Sequence, residues 1–305
     1  MRAAVTGATM RRASVVLLVS LSLLVASEGA ARAQVCAEPR DAAGGPLPGG
    51  TDGADYGAIP EACGGTDLGL RLRASALVAS AMPDYYGNVA GTATLRLRHL
   101  LGASGRAWLS LAVDVTTFRY VANAVVTSTG FAFGPPTLGL HRAFGAWERT
   151  TASVYGRALL PLDTARVNGV RMGLELGVTG RRALGARFGL QGGVALLSPL
   201  VVVAGQTHAT LEPVALAESW FAPRPSFALF AGLSSRVEVS PAPTFLTLVP
   251  RVAARLALER GLSFSLLAEA PVAGADRTDV VVALFAGWAQ PAAKGASGGP
   301  GPGGP

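Results

Sequence analysis

From Leu68 almost to its end the chain repeats one pattern: short runs in which apolar and polar residues alternate. In the first run Leu68, Leu70, Leu72, Ala74, Ala76 and Val78 fall on one side, and Gly69, Arg71, Arg73 and Ser75 on the other. A period of two belongs to a β-strand whose two faces meet different surroundings. Twelve runs of this kind are legible, at 67–79, 92–101, 107–120, 137–145, 151–161, 170–180, 187–198, 207–219, 226–239, 244–258, 262–271 and 279–288. The eighth is the weakest, because Pro213 interrupts it and proline cannot donate to a strand ladder.

Composition narrows what such strands can build. The chain is 50% hydrophobic and 15% charged, with a mean hydropathy of +0.40. Past residue 33 no apolar run reaches the ~20 residues that a membrane helix needs. The apolar excess is spread over the alternating runs instead. A soluble secreted β-sandwich would alternate too, and it stands as the fold-level alternative, but its outer face should carry more charge.

The ends of the chain read differently from its middle. Arg11 and Arg12, the apolar stretch Val15 to Ala26, and Ala31-Arg32-Ala33 have the layout of a secretory signal occupying 1–33, with a mature chain from Gln34. Residues 34–66 form a Gly/Pro-rich segment holding both cysteines, Cys36 and Cys63. In an oxidising compartment these are expected to form one disulfide. Without a histidine cluster they make no metal site, and none is expected. The segment's composition suits a loose periplasmic stretch better than a plug in a lumen. Residues 289–305 are almost entirely Gly, Pro, Ala and Ser and are expected to be disordered.

The connections alternate in length. Those at 102–106, 146–150, 181–186, 222–225 and 259–261 are short. Those at 81–91, 121–136, 163–169, 199–206, 240–243 and 272–278 are mostly longer. Aromatic residues gather at both ends of the runs. Phe144, Trp147, Phe188, Trp220, Phe221, Phe227, Phe264 and Trp288 lie near short turns, and Tyr85, Tyr86, Phe118, Tyr120, Phe131, Phe133 and Phe245 near long loops. Trp108 also lies near a short turn, but the phase of its run points it inward.

Alternating segments of this length, joined in this way behind a secretory signal, resemble bacterial outer-membrane β-barrels as a class, over about Asp67 to Trp288. The resemblance implies an all-β fold: an antiparallel up-and-down transmembrane barrel of about 12 strands over 67–288, set in outer-membrane lipid of a Gram-negative bacterium, with both termini in the periplasm. Many members end on an aromatic residue that serves as an assembly signal. Here Phe285 and Trp288 lie in the last run, but the Gly/Pro tail follows them.

Within such a barrel the lumen-facing phase carries Arg71, Arg73, Arg96 and Arg98 near the start of the chain and Arg251 and Arg255 near its end. Barrel closure would bring these into one sector, with Glu175, Glu212 and Glu218 mostly across from it. A basic wall opposite an acidic one would set a transverse field across a pore. The expected function is a passive channel for small, anionic solutes. The alternative is a sealed barrel in which the charges pair and fill the lumen, leaving the long outer loops to bind a partner or the barrel to serve only structure. The net charge of +7 is not read as nucleic-acid binding, since export argues against it. His99, His141 and His208 sit in no nucleophile elbow or triad pattern, and no phosphate, dinucleotide or calcium motif is present. Neither enzymatic activity nor a cofactor is expected, and oligomeric state has no sequence signal.

Overall fold

The computed structural model describes residues 59–60, 62, 67–78, 87–101, 106–122, 132–147, 150–161, 170–203, 206–239, 245–258, 261–273 and 279–289. Its elements are β1 (Asp67–Val78), β2 (Gly87–Leu101), β3 (Ala107–Ala122), β4 (Ala132–Phe133), β5 (Thr137–Trp147), β6 (Thr150–Leu159), β7 (Val170–Ala183), β8 (Phe188–Val203), β9 (Gln206–Ala209), β10 (Glu212–Arg224), β11 (Phe227–Glu238), β12 (Phe245–Ala257), β13 (Leu262–Glu269) and β14 (Asp279–Ala289). β4 and β9 are short additions. The others form a closed antiparallel ring of 12 strands.

Closure comes from β14 returning to β1, with Asp67 opposite Ala289 and Leu77 opposite Asp279. One continuous ring excludes the two stacked sheets of the sandwich alternative. It also leaves no long strand edge, so the ladder satisfies the backbone N–H and C=O groups within the wall.

The eighth run of the sequence divides. Residues 206–209 pair back onto the end of β8, Leu200 with Ala209 and Val203 with Gln206. The wall strand proper starts at Glu212 and pairs with the lower part of β8, Glu212 with Leu197 and Phe221 with Phe188. Pro213 thus falls at the second residue of β10, where a missing donor interrupts the ladder least. The stretch at 199–206, expected as a loop, is largely strand for the same reason.

The phase of each strand follows its alternation. Leu68, Leu95, Leu97, Leu174, Leu196, Val252, Leu266 and Leu284 stand outward and exposed, while their neighbours along each strand turn inward. An apolar exterior of this extent far exceeds the patches a soluble monomer tolerates. The polar outward residues His99 and Arg182 lie within two residues of the short-turn ends of β2 and β7, where an interface would meet water. Phe144, Phe188, Phe221, Phe264 and Trp288 are outward near the same rim, forming one girdle. Trp220 does not belong to it: it joins Trp108 inside the barrel, both buried.

The outward assignment has a direct consequence. Leu176 lies outward at the middle of β7. Leu176→Arg is expected to destabilise the barrel by about 2–4 kcal/mol, the cost of a cation near a bilayer midplane. Urea titration of folding into phospholipid vesicles measures this; a loss under about 1 kcal/mol would contradict a lipid-facing β7.

A candidate conduit inside the barrel

The lumen is organised in layers, which β10 displays in order. From the long-loop end its inward residues are Glu212, Val214, Leu216, Glu218, Trp220 and Ala222. Charged, apolar, charged and apolar levels therefore succeed one another down one strand.

The lowest level is apolar. Trp220, Ala222, Ala228, Phe230, Ala253, Ala257, Leu267 and Ala283 make one buried cluster near the short-turn end, contributed by β10 to β14. Small alanines on four of these strands leave the room that the large rings fill. Three of the interior rings lie across glycines. Phe285 covers Gly69, Tyr155 covers Gly177 and Trp220 covers Gly189, and in each case a Cβ on the glycine would collide with the ring. Absence of a side chain on one strand is what lets a large ring from the next lie flat against the wall.

Arginines sit over these rings. The Arg96 guanidinium lies 4.3 Å from the Phe285 centroid, and that of Arg181 4.8 Å from Trp220. Cation–π contact of this kind compensates part of the desolvation of a buried cation. Trp108, His141 and Tyr155, on β3, β5 and β6, form a ladder of rings, with centroids 5.1 Å and then 5.6 Å apart. Ser110 Oγ lies 2.9 Å from His141 Nε2, so the imidazole is held at its edge as well as on both faces.

Above the floor lie ion pairs. Arg157 Nη2 is 2.6 Å from Glu175 Oε1, and both side chains have 0% exposure. Tyr155 donates its hydroxyl to the same carboxylate oxygen at 2.8 Å. Arg251 Nε is 2.7 Å from Glu218 Oε1, and Gln191 Nε2 donates to the other oxygen of Glu218 at 2.7 Å. At the long-loop end Arg236 pairs with Glu212, which also accepts from Thr210. Thr94 hydrogen-bonds Asp114. Two charges taken out of water cost several kcal/mol each, which contact and extra hydrogen bonds must offset; the arrangement around Glu175 supplies both.

The sequence-derived lining residues are placed as follows. Arg96, Arg98, Arg251, Arg255, Glu175, Glu212 and Glu218 all face inward and are buried. Arg71 and Arg73 stand on β1 opposite Thr94 and Thr92; their side chains lie outside the described set. The carboxylate strands β7 and β10 stand across the ring from β1 and β2, but each carboxylate pairs with a nearer arginine. Glu175 is taken by Arg157 on the neighbouring strand β6, Glu218 by Arg251 on β12 and Glu212 by Arg236 on β11. Pairing cancels the charge of these three carboxylates at a distance, because opposite charges in contact offset one another; further inward arginines remain on β2, β7 and β12. Arg157 reads as lumen-facing from the sequence but not as the partner of Glu175; Arg236 was absent from the sequence-derived set, although it follows the inward phase of its strand.

One further group was missed. Ile59 and Ala62 belong to the stretch expected to lie in the periplasm, yet both are buried. Ile59, 2% exposed, clusters with Tyr155, Ala195, Leu197, Val214 and Leu216, all inward residues of β6, β8 and β10. The apolar level between Glu218 and Glu212 is therefore completed by a residue from ahead of β1. Cys36 and Cys63 lie outside the described residues.

No protein-family model matches the chain, and no curated protein matches it with significance. Among solved structures it is similar to an outer membrane channel from Pseudomonas putida F1, at 13% identity and a TM-score of 0.62, over 77% of this chain and 98% of that one. Lesser likenesses reach NanC porin (8% identity, TM-score 0.47, 72% of this chain and 98% of that one) and KdgM porin in complex with disordered oligogalacturonate (5% identity, TM-score 0.47, 73% and 98%). The chain has the closed-barrel fold of bacterial outer-membrane proteins.

Burial of Arg157 and Glu175 makes their pairing testable. Glu175→Ala strands the Arg157 charge and is expected to cost about 3–5 kcal/mol, whereas the double change Arg157→Met with Glu175→Leu should be close to neutral. Urea unfolding in detergent micelles compares the two. Equal losses for single and double variants would contradict a buried pair whose stability rests on mutual compensation.

Proposed function

We propose that this barrel resides in the outer membrane of a Gram-negative bacterium, reaches it through a cleaved signal at 1–33, and passes small solutes passively with a preference for anions. The observation that carries the reading is the contrast between the two faces of the wall: apolar outside, and rich in arginine inside on β2, β6, β7, β11 and β12. Among the described residues, inward arginines outnumber inward carboxylates, which favours anions along any path that opens. The similarity to an outer membrane channel supports the architecture that such a path requires. In this reading Arg71, Arg73, Arg96, Arg98, Arg251 and Arg255 line the path, Glu175, Glu212 and Glu218 hold it together through their ion pairs, and a Cys36–Cys63 disulfide ties the segment ahead of β1 in the oxidising periplasm.

A sealed barrel using its long outer loops is the second reading. The fully buried Arg157–Glu175 pair favours it, because a solute crossing that level must displace side chains.

Single-channel recording in a planar bilayer under a potassium chloride gradient separates the two. The channel reading expects brief, discrete steps and a reversal potential biased toward chloride. Silence from a protein that still shifts its gel position on boiling would establish the sealed barrel, and a cation-biased potential would overturn the anion preference.

A further inference from the structure

We infer that Ile59 is the seated end of a stopper carried by the chain itself, and that its withdrawal uncovers the lumen without unfolding the barrel. The consequence for current rests on the channel reading above; the seating itself does not.

Three observations support this. The first is connectivity. The socket of Tyr155, Ala195, Leu197, Val214 and Leu216 belongs to the wall, whereas Ile59 precedes β1 and has no place in the ring's hydrogen-bond ladder. The wall can therefore stand whether or not Ile59 is seated.

The second is shape. Gly193 lies on β8 beside the socket, and a Cβ there would come within 2.5 Å of the Val178 carbonyl oxygen and 2.8 Å of Ile59 Cγ2. A side chain there would be refused by the wall's own backbone and by the seated isoleucine alike, so Ile59 occupies space the wall leaves open. Leu197, at the back of the socket, has 0% exposure. Eight chain steps separate Ile59 from Asp67. At ~3.3–3.6 Å each they can span roughly 26–29 Å, enough to bring Ile59 from the short-turn end, where β1 starts, to the level of Leu216.

The third is coupling. Tyr155 belongs to the socket and also donates its hydroxyl to Glu175, which Arg157 holds. One side chain thus joins the seat to the ion pair next to it on the long-loop side. When Ile59 leaves, Tyr155 loses packing on its socket side, and the closed charged level loses the support that keeps its geometry fixed.

The test uses the full chain with Leu197→Cys as a reporter, folded in lipid vesicles. Labelling at position 197 by a charged, membrane-impermeant maleimide is read by peptide mass spectrometry, which separates it from Cys36 and Cys63. Wild-type Ile59 is expected to give slow labelling. Ile59→Ala should accelerate it at least tenfold, and Ile59→Leu should keep it within about threefold of wild type. In parallel recordings without the reporter, Ile59→Ala should raise the open fraction by a similar factor. Faster labelling without current would uphold the stopper and refute the channel reading. Labelling unchanged in Ile59→Ala overturns the stopper whatever the current does. A variant that no longer folds, judged by loss of its heat-dependent gel shift, overturns it too, since Ile59 would then be part of the barrel's own core.

Discussion

Ring closure between β14 and β1 is the constraint on which everything else depends. In hydrocarbon an unpaired backbone N–H or C=O has no water to turn to, and each costs several kcal/mol. Joining the last strand to the first removes both edges at once. It also fixes the meaning of every alternating residue. Once the ring is shut, one side of each strand is outside and the other is inside, so a slip of one residue would turn leucines into the lumen and arginines into lipid. The two short additions, β4 and β9, are accommodated outside this ring, paired with β3 and with the extension of β8.

Twelve strands enclose more room than the eight whose side chains alone fill a barrel, and less than the sixteen that leave an open channel. The chain resolves this intermediate size with large side chains and with Ile59 from outside the ring. Trp108, Tyr155, Trp220 and Phe285 reach across the wall, with glycines or alanines beside them to make room. Arginines then stack on these rings or pair with glutamates, which converts an otherwise costly charge inside the membrane into packing. Ile59 closes the remaining apolar level. The result is a lumen in which polar and apolar layers alternate. This interior differs both from a hydrophobic core and from a water-filled pore.

Much of this architecture was legible in the sequence, because strand phase is a local property. The period of two placed Arg96, Arg98, Arg251, Arg255, Glu175, Glu212 and Glu218 on the inner face, and the inward phase of Trp108 was visible despite its position near a turn. What the pattern could not supply was partnership. Arg157 captures Glu175 because the register sets them opposite each other, and Arg236, opposite Val214, reaches diagonally to Glu212; registers are set by ladders that composition does not reveal. Trp220 read as a girdle residue by its nearness to a turn, but the β10 phase turns it inward. Ile59 was missed for a different reason: an isolated Ile-Pro in a Gly/Pro-rich stretch has no period to follow. Its one signal is being among the few aliphatic residues there, within reach of β1.

The claim that a single closed wall separates lipid from a packed, charged interior is most directly tested by tryptophan quenching with bromine-labelled acyl chains. Two variants, each keeping one tryptophan, are folded into such vesicles. Trp288, outward and 48% exposed, should be strongly quenched, and Trp220, inward and 5% exposed, should be nearly unaffected. Equal quenching at both positions, or quenching of Trp220 alone, would contradict the assignment of inside and outside on which the account stands.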